Sequence, residues 1–142
     1  LNVSPLNRHS CAKVYFKEQF NDADWEQRWV QPTKWKPEEQ MGKWGWTAGK
    51  WYGDEADKGI QTSEDSRFYG LSAKLSEPFT NEGKDLVLQL AVKHEQTLDC
   101  GGAYPEMISP SLSQFFDSLG GDTPYQIMFG PDICGAGNAK TH

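Results

Sequence analysis

The chain has 142 residues, enough for one domain with a core, and its 20 Asp and Glu against 14 Lys and Arg give a net charge of -6. That balance argues against nucleic acid, because a phosphate binder needs a positive surface that releases counterions. Apolar residues make up only 37% and aromatics 13%, so Trp, Phe and Tyr must carry much of any core, while 14 Gly and 8 Pro favour a turn-rich β architecture over a helix bundle.

Residues 1–13 read as a flexible N-terminal arm carrying the sequon Asn2-Val3-Ser4 and an isolated Cys11. Residues 14–20 mix β-formers with alternation and predict a strand, followed by a turn over Asn21-Asp22-Ala23-Asp24. All six tryptophans fall between Trp25 and Trp51, and Trp44 and Trp46 flank Gly45, which puts both on one face of a strand. Residues 53–59 form an exposed acidic loop. Short strands are expected over residues 59–62 and 67–73. Residues 85–94 are apolar almost throughout and predict a strand buried on both faces. Residues 100–121 are loop-rich with a short helix near residues 112–116, and residues 125–130 form a last strand ending in a Gly-Pro-Asp turn. Many short strands separated by turns predict an all-β sandwich. The longest apolar-rich run, residues 86–92, is interrupted by Gln89 and falls far short of the ~20 residues that span a membrane.

Chemistry-bearing residues favour binding over catalysis. No G-x-S-x-G elbow is present, and His94 sits inside an apolar strand, where a structural role is the simpler reading. A retaining glycosidase needs two carboxylates about 5–5.5 Å apart. Glu55-Ala56-Asp57 begins the strand motif of sandwich glucanases, but Lys58-Gly59-Ile60 supplies no third acid. Sugars instead ask for an aromatic face and hydroxyl acceptors, types that Tyr104, Tyr125 and Asp132 offer. Cys100 and Cys134 lie 34 positions apart in glycine-rich sequence without zinc spacing. They are either a disulfide, which would draw Tyr104 and Asp132 together, or two unpaired thiols. The tryptophans are a second stacking platform or, at strand spacing, simply core. The loop over residues 53–59 lacks the EF-hand pattern, although calcium takes about six to eight oxygens and acids are present.

Several strings resemble the lectin domain of the calreticulin/calnexin family. They are Val14-Tyr15-Phe16-Lys17-Glu18-Gln19-Phe20, Trp51-Tyr52-Gly53-Asp54-Glu55, Lys58-Gly59-Ile60-Gln61-Thr62-Ser63, Asp65-Ser66-Arg67-Phe68-Tyr69, Val92-Lys93-His94-Glu95-Gln96 with Asp99-Cys100-Gly101-Gly102, and Ile127-Met128-Phe129-Gly130-Pro131-Asp132-Ile133-Cys134-Gly135. The resemblance implies a legume-lectin-like jelly-roll β-sandwich, incomplete in a chain of this length, with residues 14–142 as a partial lectin domain and the proline-rich arm and acidic tail absent. It implies a non-enzymatic chaperone of the endoplasmic reticulum lumen that binds monoglucosylated N-glycans on folding glycoproteins and depends on Ca2+. Its partners would include a thiol oxidoreductase or a larger assembly covering the unfinished sandwich. By position, sugar contacts fall on Tyr104, Tyr125, Met128 and Asp132, and the disulfide on Cys100 and Cys134, leaving Cys11 free. Calcium ligands fall on Gln19 and on backbone oxygens at Ala56 and Lys58. Glu106 departs from the pattern, because the family carries a lysine there, and a carboxylate accepts where an ammonium donates. The competing expectation is an accessory subunit that has lost sugar binding and docks a protein.

Overall fold

The structure, a computed structural model, describes residues 13–142 except residue 136. The sequon at Asn2, Cys11 and nearly all of the expected arm lie outside the described residues.

Among the described residues, seven short strands make three small sheets: β1 (Trp44–Thr47), β2 (Gly59–Thr62), β3 (Cys100–Gly102), β4 (Glu106–Met107), β5 (Ile127–Met128), β6 (Pro131–Cys134) and β7 (Ala139–Thr141). The chain is therefore all-β in character, with sheets too small to form two complete sandwich faces among the described residues. β1 and β2 pair antiparallel, and Trp46 stands opposite Ile60, an aromatic against a β-branched side chain. Trp44 and Trp46 share a face as their spacing predicts, both half-buried.

Among the described residues there are three 3-10 helices, two before β1 and one between β4 and β5. The first, Ala23–Arg28, opens on the Asp22 carboxylate, which accepts from the Asp24 N–H, and it carries acids in its first turn and Arg28 in its last. The second, Glu38–Gln40, is a single turn. The third, Pro110–Ser118, covers the helix expected near residues 112–116; Ser109 caps it and Pro110 starts it where no N–H is needed. The Asp117 carbonyl accepts from the N–H groups of Thr33 and Lys34, which ties this helix to the first third of the chain.

Two expected strands are extended segments without a ladder. Residues 14–20 are anchored by Tyr15, whose carbonyl accepts from the Ser76 N–H and hydroxyl. Residues 85–94 are not buried on both faces: Val87, Leu90 and Val92 are exposed, while Leu86 and Leu88 are half-buried. A strand needs a neighbour to take its N–H and C=O groups. Side chains hold this stretch instead. Lys93 Nζ donates to the carbonyls of Ala48 (2.8 Å) and Trp51 (2.9 Å), and Glu95 accepts from the Lys50 N–H (2.7 Å) and from Gln61 Nε2 (2.9 Å). The strand expected over residues 67–73 reduces to two isolated bridges, Met41 with Phe68 and Val30 with Ser72.

The tryptophans split between packing and surface. Trp25 is 4% exposed and is the one large apolar side chain buried among the described residues, whereas Trp51 is exposed. Trp25 packs edge-on against Phe20, which stacks on Trp29, which in turn meets Phe16 edge-on.

Candidate functional site

The region from Cys100 to His142 builds a continuous surface out of small pieces. β3 pairs antiparallel with β6, setting Cys100 opposite Cys134, Gly101 opposite Ile133 and Gly102 opposite Asp132. β4 pairs with β5 in the same register, Glu106 opposite Met128 and Met107 opposite Ile127. The two sheets are thus one interrupted ladder. The gap is bridged by the Ala103 N–H donating to Pro131 (3.1 Å) and the Phe129 N–H donating to Pro105 (3.3 Å). Pro105 and Pro131 have no N–H to give, which is why the regular ladder lapses there. Cys100 and Cys134 are joined by a disulfide across the first rung.

β7 adds a third strand, with Thr141 opposite Pro131 and Lys140 opposite Asp132. The pairing runs one step further, where the N–H of Gly130 donates to the His142 carbonyl (3.1 Å) and the His142 N–H donates back (2.9 Å). Opposed residues point to one face, as does every second residue along a strand. Tyr104, Glu106, Met128, Asp132, Lys140 and His142 therefore share a face, with Gly102 and Gly130 as gaps between them. Gly130 is buried at φ 148°, a conformation suited to glycine, and a Cβ there would collide with the Ala103 carbonyl oxygen.

Side-chain contacts agree with that placement. The Tyr104 ring and hydroxyl lie over Gly102, the residue opposite Asp132. His142 Nε2 lies 3.0 Å from Asp132 Oδ2, and its ring meets Tyr104 edge-on, centroids 5.9 Å apart. Partial burial lifts the Tyr104 phenol above its ordinary value, and the nearby Asp132 carboxylate acts the same way. Burial likewise pushes the Glu106 carboxyl up. Of the expected sugar contacts, the structure groups Tyr104, Met128 and Asp132. Tyr125 lies beyond the bend at Gln126, exposed, and no hydrogen bond or ring contact joins it to the group among the described residues. The sequence reading missed His142 and Lys140. The signal was present in Gly135 and Gly137-Asn138, a turn after Cys134 that sends the chain back along β6.

Of the expected calcium ligands, Gln19 has a neighbour that contacts Trp46, and Lys58 contacts Trp46 by its ammonium rather than by the expected backbone oxygen. The Trp46 indole N–H donates to the Phe20 carbonyl (2.7 Å), one residue after Gln19, and Lys58 Nζ lies 4.0 Å from the centre of that ring. The Ala56 carbonyl accepts from the Lys58 N–H (3.0 Å). An amide and two carbonyls are suitable hard oxygen donors, but they are fewer than the about six to eight that calcium takes. No group of three His, Cys, Asp or Glu side chains suited to a metal occurs among the described residues. By themselves these residues do not make up a calcium cage.

The Calreticulin family model matches residues 16–142, nearly the whole described chain. The chain belongs to the calreticulin family. Among curated calreticulins, it is 54% identical to that of Bos taurus over 131 residues, covering 91% of this chain and 30% of that protein. It is 53% identical to that of Chlamydomonas reinhardtii over 135 residues, covering 94% and 32%. With that of Onchocerca volvulus it shares 49% over 132 residues, covering 92% and 33%. The chain thus spans about a third of the length of the calreticulins it matches. No helix among the described residues is long and apolar enough to cross a membrane.

Proposed function

We propose that this chain is part of a non-enzymatic lectin chaperone that binds monoglucosylated N-glycans of folding glycoproteins in the lumen of the endoplasmic reticulum. The observation that carries the reading is the shared face of Tyr104, Met128 and Asp132 beside the Cys100–Cys134 bond. A sugar ring would lay its C–H face on Tyr104 and Met128, and its hydroxyls would donate to the Asp132 carboxylate, which can only accept when ionised. Tyr125, exposed at the edge, would close over the ligand. A disulfide suits an oxidising compartment, in keeping with the lumenal reading and with a thiol oxidoreductase as working partner. Calcium would be held in part by Gln19 and by the carbonyl oxygens of Ala56 and Lys58, the remaining oxygens coming from outside this set.

The test is calorimetric titration of the chain with a monoglucosylated oligomannose in the presence of calcium. Saturable binding that Tyr104→Ala abolishes supports the reading. Binding untouched by that change moves the site elsewhere, and no heat from a folded chain removes the sugar function.

A second reading is favoured by the exposed Val87, Leu90 and Val92 on a segment without ladder partners. Such an edge invites a covering protein chain. In that case the chain serves as an accessory subunit whose sugar site is idle, and Glu106 agrees with it.

A further inference from the structure

Resting on the sugar reading above, we propose that His142 is a positioning residue of that site, one that holds the Asp132 carboxylate in place for sugar hydroxyls. The donors and acceptors on this face are unevenly distributed. Asp132 and Glu106 only accept when ionised, and the one side-chain hydrogen bond to Asp132 among the described residues comes from His142. Asp132 is a short side chain on a partly open surface, free to take other rotamers unless something fixes it. His142 does so: Nε2 stands 3.0 Å from Oδ2, and a carboxylate partner requires the proton on that nitrogen.

His142 is itself held on three sides. Its backbone exchanges two hydrogen bonds with Gly130, its ring stands edge-on against Tyr104, and its Nε2 is spent on Asp132. The missing side chain of Gly130 lets the Ala103–Tyr104 backbone approach closely, while the Tyr104 ring lies over Gly102. A carboxylate has about four lone-pair sites, so the His142 donor leaves room for hydroxyls. Fixing it before the ligand arrives removes an ordering cost from binding.

The experiment is the same calorimetric titration on the full chain, its His142→Ala and His142→Gln variants, and a double-mutant cycle with Asp132→Asn, with thermal midpoints recorded for each. His142→Ala should weaken binding about tenfold, the equivalent of one hydrogen bond to a charged group. His142→Gln, which keeps an N–H near the Nε2 position, should recover most of that loss. The Ala and Asn effects should be strongly non-additive, because His142 acts through Asp132. Binding by His142→Ala equal to the parent overturns the assignment alone. So does a loss that Gln does not recover and that adds to the Asn effect, which marks ordinary packing. No binding by the folded parent overturns this assignment together with the sugar reading, and so separates the two failures.

Discussion

Cys100 and Cys134 stand directly opposite each other at the first rung of β3 and β6, and their sulfurs are bonded. The bond closes a loop of 34 positions and pins the register that sets Asp132 opposite Gly102. Thiol titration of the denatured, unreduced protein should find one free thiol. Replacing both cysteines by serine should cost about 3–4 kcal/mol in urea unfolding, in the chain-entropy picture. Three free thiols would remove the bond and the compartment it implies.

Gly130→Ala should destabilise the chain by about 1–3 kcal/mol, because the added methyl strikes the Ala103 carbonyl and φ 148° suits an L side chain poorly. The same change should weaken sugar binding, since Tyr104 and His142 flank this position. A denaturant midpoint equal to the parent's would contradict the close approach.

Glu18 accepts from Arg28 Nε (2.8 Å) and Nη2 (3.0 Å), from the Phe20 N–H (2.7 Å) and from Trp29 Nε1 (3.2 Å). Arg28 above all holds its carboxyl at about 2, against an ordinary 4.5, with burial opposing. A lowered folded-state value means the stabilisation is whole above pH 4.5 and drains away as pH falls toward 2. Glu18→Gln should lose about 1–2 kcal/mol at pH 7, with Arg28 partly exposed, and should show a flatter acid limb in thermal midpoints. Parallel acid limbs would show that the pair does not govern this window.

Glu106 carries the opposite sign. Burial raises its carboxyl above 4.5, so the stability present below that value is lost as pH rises through the raised one. Glu106→Gln, neutral throughout, should melt above the parent at pH 7, and the two should converge well below pH 4.5. A lower midpoint at pH 7 would mean that the ionised carboxylate has a favourable partner.

What was legible in the sequence was local. The alternation of Trp44 and Trp46, the β2 strand and the helix near residues 112–116 depend on neighbours a few positions away, and each formed where expected, whereas the expected turns gave way to a 3-10 helix from Ala23 and to strand β6 from Pro131. The family strings were legible for the same reason, as fixed spacings along the chain. Residues 85–94 misled because apolar content signals burial but cannot supply a partner strand. At 86–89 the side chains alternate, and Lys93 and Glu95 do the anchoring.

By itself the sequence pointed to the all-β class and the family, and the resemblance set Tyr104, Tyr125, Met128 and Asp132 near two cysteines. Only the tertiary structure decided that two short sheets share one register, that Tyr125 stands apart, and that His142 returns to Asp132. The reason is that side-chain direction along a strand follows from local alternation, whereas which strand lies alongside is set by hydrogen bonds between residues far apart in the chain. The Gly130–His142 pair is such a contact, and it completes the face.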